Sequence, residues 1–409
     1  MSSPSSRPLW RGRVLALVGI FLFAFSLRSA VASLSPVLDH VRADFDVPAW
    51  IVGMIGTAPP VCFAISGILT PRLGRRFGLE RLTVAALVTV SIGLVARGLA
   101  DGAVTLLLAT VVTFVGVGVG NVLLPPLVKR HFPDRIGLVT TVYSTTIAAS
   151  TFLPPLFAVP VADAAGWRMS LALWSVFSIV ALAPWVTLLI RTRGDAVPEL
   201  EEADGALFGR LLRIPLAWAI TVSFFVSGAL VYTMFAWMPS LLVDTAGVSA
   251  AEAGTLLSMF AAVGLPMSLI VPLLVGRRGA VPVLFGLAVT AGLAGVAGLL
   301  FAPAAAPLLW VLLLGTAPLF FPLSLVLIGV RARTHEGALV LSGFVQSIGY
   351  AGVAIVPFAV GIVHDMTESW SIPLIMMALV IVASIPAGFS VSRPHTIEDE
   401  WERRHGRPW

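Results

Sequence analysis

Long apolar runs constrain this chain more than any other feature. A helix needs about 20 apolar residues to cross the hydrocarbon core of a bilayer. Twelve such segments lie near 13–38, 48–70, 82–100, 103–128, 136–160, 169–190, 214–240, 253–275, 280–302, 307–330, 337–363 and 370–392. Hydrophobic residues make up 58% of the chain and charged residues 11%, whereas about 25% of residues are charged in a soluble domain. We therefore predict an all-α membrane protein with twelve transmembrane helices.

The basic residues predict how the helices are oriented. If the N-terminus is cytoplasmic, 22 of the 26 Lys and Arg residues fall in cytoplasmic segments, and Arg42, Arg97 and Arg168 fall outside. Arg28 alone then lies inside the membrane. This excess follows the positive-inside rule and predicts a multi-pass protein of the bacterial inner membrane with both termini cytoplasmic. The computed pI is 10.3, but the basic residues are scattered over short loops, which excludes a nucleic-acid site.

The two halves of the sequence repeat each other. Several pairs of identical residues are 203 positions apart, namely Pro36 and Pro239, Arg130 and Arg333, Pro154 and Pro357, and Trp167 and Trp370. Matching residues at one offset and at matching places in the topology indicate a parallel six-helix repeat. We predict an N-terminal half over residues 1–195, a charged cytoplasmic linker over 196–210 and a C-terminal half over 211–409.

A parallel six-helix repeat is the architecture of the major facilitator superfamily, and residues 67–76 resemble its cytoplasmic loop motif. The residues that match or flank the pattern are Gly67, Arg72, Gly74, Arg75 and Arg76. Pro71 stands where the motif usually has an aspartate, which removes one partner of the usual charge relay. The resemblance implies a gating loop that latches the two halves in one conformation. The alternative is that the arginines only anchor the topology.

Several further strings resemble one subfamily, the cyanate and 2-nitroimidazole permeases. They are Leu27-Arg28, Gly120-Asn121-Val-Leu-Leu-Pro125, Ala236-Trp237-Met-Pro239, and Leu341 to Ser347 followed by Gly349-Tyr350. The resemblance covers nearly the whole chain. It implies a secondary transporter of a small anion or a small polar or aromatic compound. Because substrates vary within such a subfamily, the fold is better defined than the cargo.

Arg28 is the most informative single residue. In a continuous helix it lies about 22 Å from Arg13 and about 16 Å from Asp39, near the middle of the membrane. A charge there costs at least ~2.5–3.5 kcal/mol and needs a partner. All 21 acidic residues fall in predicted loops or helix ends, so no buried counter-ion is evident. One interpretation is that Arg28 faces a central cavity and binds an anionic substrate. The other interpretation is that Arg28 has a purely structural role and donates hydrogen bonds to helix carbonyls and water.

A few polar side chains in the predicted helices could complete such a site. They are Asn121, Tyr143, Tyr232, Gln346 and Tyr350, which include all three tyrosines of the chain. The superfamily resemblance implies that helices 1, 4, 7 and 10 line the cavity, with 2, 5, 8 and 11 beside them. All five residues fall in these helices. Tyr and amide groups can donate hydrogen bonds to an anion, although each could equally make an interhelical hydrogen bond.

Energy coupling and the competing functions complete the sequence-based hypotheses. Asp39, at the outer end of helix 1, is the nearest candidate for proton coupling. A drug exporter of the same fold is the main alternative function, and a membrane sensor without transport is a further one. No catalytic cluster, metal-ligand cluster or nucleotide-binding loop is evident, so we predict neither an enzyme nor a bound cofactor or metal. The expected partners are a small-molecule substrate and the lipid bilayer, and we expect a monomer.

Overall fold

Helices account for nearly all of the regular structure. The computed structural model describes residues 13–191, 205–275, 277, 279–406 and 409, and this part of the chain contains no strand. The helices are α1 (Val14–Ser26), α2 (Ala49–Phe77), α3 (Leu79–Gly98), α4 (Ala103–His131), α5 (Ile136–Ala165), α6 (Trp167–Arg191), α7 (Pro215–Ala246), α8 (Ala250–Val275), α9 (Ala280–Phe301), α10 (Pro307–Val330), α11 (Glu336–Thr367) and α12 (Ser371–Val391). Within the described residues, α2 to α12 are each long and apolar enough to cross a membrane, and α1 is shorter.

The first predicted helix is not continuous. The sequence predicts a helix over residues 13–38, but α1 ends at Ser26 and residues 27–34 form turns and bends. A short 3₁₀ helix (Ser35–Val37) and a short α-helix (Leu38–Arg42) follow. We call residues 27–34 the α1 break. Arg28 therefore lies in the break, and the distance to Asp39 that a continuous helix predicts is wrong.

The local sequence explains the break. Pro36 lacks an N–H group and disfavours helical geometry in the residue before it. Ser hydroxyls compete for the backbone, and Ser26 donates to the Phe23 carbonyl at 2.8 Å while Ser33 donates to the Ala30 carbonyl at 3.4 Å. Irregular backbone at membrane depth is tolerated only where protein groups or water satisfy it. Periodicity alone could not reveal the break, because the residues remain mostly apolar.

Hydrogen bonds confirm the repeat between the two halves. Trp167 donates from Nε1 to the carboxylate of Asp44 at 2.9 Å, and Trp370 donates to that of Asp244 at 2.8 Å. The first bond ties the start of α6 to the segment after helix 1. The second ties the start of α12 to the end of α7. The tryptophans are 203 positions apart and the aspartates 200, so equivalent tryptophans bond to aspartates at nearly matching places in each half. The exact domain boundaries remain a prediction, since most of the 196–210 linker lies outside the described residues.

The two halves pack tightly at one end of the bundle. We call this end, which carries Asp44, Asp101 and Gly247, the far face, and the end that carries Arg13 and α13 (Ile397–His405) the near face. Small residues allow the close approach: a Cβ atom added at Gly361 on α11 would lie 2.9 Å from the Ala49 carbonyl oxygen on α2.

Hydrogen bonds reinforce this closure between the halves. The Ser35 hydroxyl donates to the Phe235 carbonyl at 2.6 Å, and the Thr57 hydroxyl donates to the Ala354 carbonyl at 2.7 Å. Arg28, in the middle of the bundle, nevertheless remains partly exposed. These contacts close the far face, while Arg28 keeps part of its surface exposed.

Two short helices cover the near face of the C-terminal half. The helix Gly205–Leu211 packs against α11, where the rings of Phe208 and Phe344 are 5.2 Å apart. In α13, the buried carboxylate of Glu398 accepts hydrogen bonds from the backbone N–H groups of Arg333 and Thr334 at 3.0–3.1 Å. The C-terminal segment is therefore fixed to the loop between α10 and α11.

Candidate functional site

Arg28 lies where the two halves of the chain meet. It directly follows the last turn of α1, so the break presents its side chain towards α7. Its Nη1 atom donates a hydrogen bond to the hydroxyl of Tyr232 on α7 at 3.0 Å. The hydroxyl of Tyr350 on α11 interacts with the same guanidinium. The structure thus brings together three of the predicted site residues, one from the α1 break and two from helices α7 and α11.

Aromatic rings complete the surroundings of this guanidinium. The ring of Phe63 on α2 has its centroid 5.4 Å from the Arg28 Cζ atom, within cation–π distance. Phe63 also packs edge-to-face against Tyr350, at 5.7 Å, and Tyr350 packs edge-to-face against Phe224 at 4.9 Å. Sequence analysis did not identify Phe63 or Phe224, because nothing distinguishes them from the many phenylalanines that only fill the core.

No carboxylate neutralises Arg28 within the described part of the chain. Its neighbours there are two phenols and the face of a phenylalanine ring. A guanidinium carries five N–H donors, so groups remain free to donate to a ligand. Such an arrangement presents a positive charge and hydrogen-bond donors where the two halves meet.

The remaining predicted polar residues lie on α4, α5 and α11. Asn121 is half-buried on α4; it lies one residue after Gly120, which touches α1, and three after Gly118, which touches α2. At 100° per residue, its side chain leaves α4 between these two contacts. Gln346 on α11 is half-buried and donates to the Ser342 hydroxyl at 2.8 Å. Tyr143 on α5 is half-buried against the N-terminal core.

The predicted gating motif belongs to a helix rather than to a loop. Helix α2 continues to Phe77, seven residues beyond its predicted end, and stops at Gly78, whose φ of 84° suits glycine. Arg72 and Arg76 are exposed, whereas Gly74 is buried. Nothing lies within 4 Å of a Cβ atom placed on Gly67. The side chain of Arg75 lies outside what the structure describes. The motif therefore forms the last turns of α2 at the near face.

An ion pair that sequence analysis missed lies beside this motif. Glu80, in the first turn of α3, is buried, and its carboxylate is 3.0 Å from Nε of Arg130 and 3.4 Å from Nε2 of His131. A buried carboxylate needs partners of this kind. The pair ties α3 to the end of α4 within the N-terminal half.

A second arginine, which sequence analysis did not single out, is also buried in the bundle. Arg97, which the charge count places outside, is 1% exposed and donates from Nη1 to the Ala30 carbonyl at 2.9 Å. Its position, one residue before the end of α3, led the count to treat it as part of a loop. Asp39, by contrast, is exposed on the short helix beyond the α1 break and does not contact Arg28.

Two six-helix halves that meet around a partly buried guanidinium define a polytopic membrane transporter. The sequence matches the family model of the Major Facilitator Superfamily over residues 16–357. The chain belongs to this superfamily, as the repeat and the motifs predict.

Curated relatives support the subfamily resemblance. The 2-nitroimidazole transporter of Escherichia coli (strain K12) is 31% identical over 392 residues, which cover 95% of this chain and 98% of that protein. The cyanate transport protein CynX of the same organism is 23% identical, with 90% and 94% covered. Among solved structures, a point mutant of the nucleoside transporter NupG matches with a TM-score of 0.74 at 12% identity, covering 92% of this chain and 100% of that one. This last likeness confirms the fold alone.

Proposed function

We propose that this transporter moves a small anion, or a small polar aromatic compound, by alternating access around a site centred on Arg28. The observation that carries the proposal is the position of the guanidinium. It lies between the halves, donates to Tyr232 at 3.0 Å, and meets no carboxylate among the described residues. A ligand with negative charge or exposed acceptor atoms would supply the missing partner.

The aromatic surroundings suit a flat ligand. Phe63 and Tyr350 lie edge-to-face, with centroids 5.7 Å apart, beside the guanidinium. Two of the relatives carry names that refer to cyanate and to 2-nitroimidazole, which are both compact and have electron-rich nitrogen or oxygen atoms. We propose cargo of this size and chemistry for this chain, bound to Arg28, Tyr232 and Tyr350.

The other predicted residues fit the same cycle. Asn121, Tyr143 and Gln346 would line the path between the near face and Arg28. The last turns of α2, residues 67–76, would contact the C-terminal half when the near face closes. Asp39 is the candidate for coupling at the far face. We propose that the near face is cytoplasmic, that the chain resides as a monomer in the inner membrane, and that it acts as a carrier and not as an enzyme.

Ligand-dependent thermal stabilisation tests the proposal, because a ligand that binds only the folded protein raises its melting temperature. The probes are sodium cyanate and 2-nitroimidazole, added to the purified full-length chain. Arg28→Gln removes the charge but keeps a donor. Arg168→Gln is the matched control, because Arg168 lies at the far face in an ion pair with Asp44.

We expect at least one probe to stabilise the parent chain and the Arg168→Gln control, and neither probe to stabilise a folded Arg28→Gln variant. Equal stabilisation of both variants would show that Arg28 only supports the structure. Uptake of the labelled probe into proteoliposomes, lost in the same variant, would link binding to transport.

A drug exporter is the second candidate, and the aromatic rings favour it. Phe63, Phe224, Tyr232 and Tyr350 form a connected group that could stack on large apolar compounds. The same assay separates the two functions. Stabilisation by neutral amphipathic compounds that persists in Arg28→Gln would favour the exporter, because ring stacking does not need the charge.

A further inference from the structure

Arg97 is a second charge inside the bundle that the proposed site does not use. Its side chain is 1% exposed, and a single hydrogen bond, from Nη1 to the Ala30 carbonyl at 2.9 Å, is its contact with the α1 break. Its Nε atom is buried and has no hydrogen-bond partner. Within the described residues, Arg97 forms no ion pair. One neutral carbonyl does not balance a desolvated guanidinium, so the charge lacks a counter-ion.

A small cavity lies beside this guanidinium. Arg97 lines it together with Ala30, Phe114, Tyr232 and Phe235. Its volume is about 20 Å³, which is enough for one water molecule and too small for a ring compound. The cavity lies on the closed side of the bundle, because the Phe235 carbonyl takes part in the contact that joins the halves there.

Tyr232 belongs to both sites. Its hydroxyl accepts the hydrogen bond from Arg28, and its side chain also lines the Arg97 cavity. Tyr232 therefore links the Arg28 contact to the cavity that Arg97 lines. The rearrangement that opens the far face must separate α7 from the N-terminal half, which would break the Arg28 contact and enlarge the cavity at the same time.

We infer that Arg97, one residue before the far-face end of α3, forms a second anion-binding subsite. The inference rests on the proposed anion transport and deepens it. A small anion leaving Arg28 towards the far face meets the next positive charge at Arg97, so it is never left without a cationic partner on the way out. The hydrogen bond to Ala30 fixes Arg97 to the α1 break that also holds Arg28.

Bromide is the probe that tests this subsite directly, since its anomalous scattering locates it in crystals of the unmodified protein. We expect an anomalous peak within hydrogen-bonding distance of the Arg97 guanidinium, in addition to one at Arg28. A peak at Arg28 without one at Arg97 would overturn the subsite and leave the proposed function intact. A peak at Arg97 alone would keep the subsite and remove the proposed function. Peaks confined to the protein surface would overturn both.

Binding in solution provides a second readout. Arg97→Gln keeps an amide donor for the Ala30 carbonyl but removes the charge, whereas Arg97→Lys keeps the charge. We expect the bromide concentration needed for half-maximal thermal stabilisation to rise about tenfold in Arg97→Gln, the effect of one lost charge-assisted hydrogen bond. Arg97→Lys should retain most of the response. Equal responses of the two variants and the parent protein would show that Arg97 only positions the α1 break.

Discussion

Arg28 and Tyr232 form a hydrogen bond of 3.0 Å that joins the two halves of the chain. The two residues are 204 positions apart, close to the 203-residue offset of the repeat, so they occupy nearly equivalent places on helices 1 and 7. The two halves therefore contribute these residues at the same depth of the bundle, and only the N-terminal half contributes a charge there. Any motion that separates the halves at this depth breaks the bond, so the bond depends on the conformation.

Replacing Tyr232 by Phe should weaken ligand binding without unfolding the protein. The substitution keeps the ring that packs against Phe63 and removes the hydroxyl that accepts from Arg28. We expect a loss of affinity of about 5- to 10-fold for the stabilising probe, because the guanidinium loses one of its fixed partners. Titration of the probe by thermal shift measures it. Tyr143→Phe removes a hydroxyl elsewhere on the proposed path, and a larger effect there would place the site nearer α5.

Enlarging Gly361 should oppose closure of the far face. A Cβ atom at this position would lie 2.9 Å from the Ala49 carbonyl oxygen, so Gly361→Leu forces α2 and α11 apart. We expect a shift towards far-face-open conformations, seen as longer distances between spin labels placed at Asp101 and Ala304 in a Cys62→Ser background. Gly264→Leu is the control, since nothing lies within 4 Å of that position. Unchanged distances in Gly361→Leu would contradict the assignment of this contact as the closed gate.

Removing either of the two equivalent tryptophan hydrogen bonds should have equal effects. Trp167→Phe and Trp370→Phe each lose one N–H donor to an aspartate. We expect each to lower the melting temperature by about 2 °C. Differential scanning fluorimetry of the two variants measures this. A several-fold difference between them would show that the two hydrogen bonds occupy matching places but do not contribute equally to stability.

Acid should weaken the first of these contacts. The hydrogen bond from Trp167 and the ion pair with Arg168 hold the pKa of Asp44 below its usual value of 3.8. A depressed carboxyl pKa contributes stability that is fully present above the unfolded pKa and is lost as the pH falls through the folded pKa. We expect the Asp44→Asn difference in melting temperature to be constant from pH 5 to pH 8 and to shrink below about pH 4. A difference that changes near pH 6 would point to another group.

Glu398 should anchor α13 to the near face. Removing its carboxylate leaves the backbone N–H groups of Arg333 and Thr334 without their acceptor, at a cost of about 2 kcal/mol. We expect Glu398→Ala to increase amide hydrogen exchange across residues 397–405. Glu402→Ala removes an exposed ion pair with Arg333 and should cost less than about 1 kcal/mol. Similar exchange in both variants would exclude Glu398 as the anchor.

The sequence by itself determined the class of fold. Twelve apolar segments, the 203-residue repeat and the strings around Arg28 and Asn121 predict two six-helix halves of a transporter, and the family match confirms it. These features are readable because membrane insertion acts on each segment through its own hydrophobicity, and because a repeat leaves identical residues at one spacing.

Only the tertiary structure decided which residues meet Arg28. The contacts with Phe63, Tyr232 and Tyr350 join helices distant in sequence, and the burial of Arg97 depends on packing of α3 against the α1 break. Residues 13–38 have the hydropathy of an ordinary transmembrane helix. The buried serines that compete for its backbone hydrogen bonds are only weakly polar, so they lower that hydropathy very little. Hydropathy measures whether a segment enters the membrane, whereas the direction of each side chain and the partner of each charge are set by long-range packing.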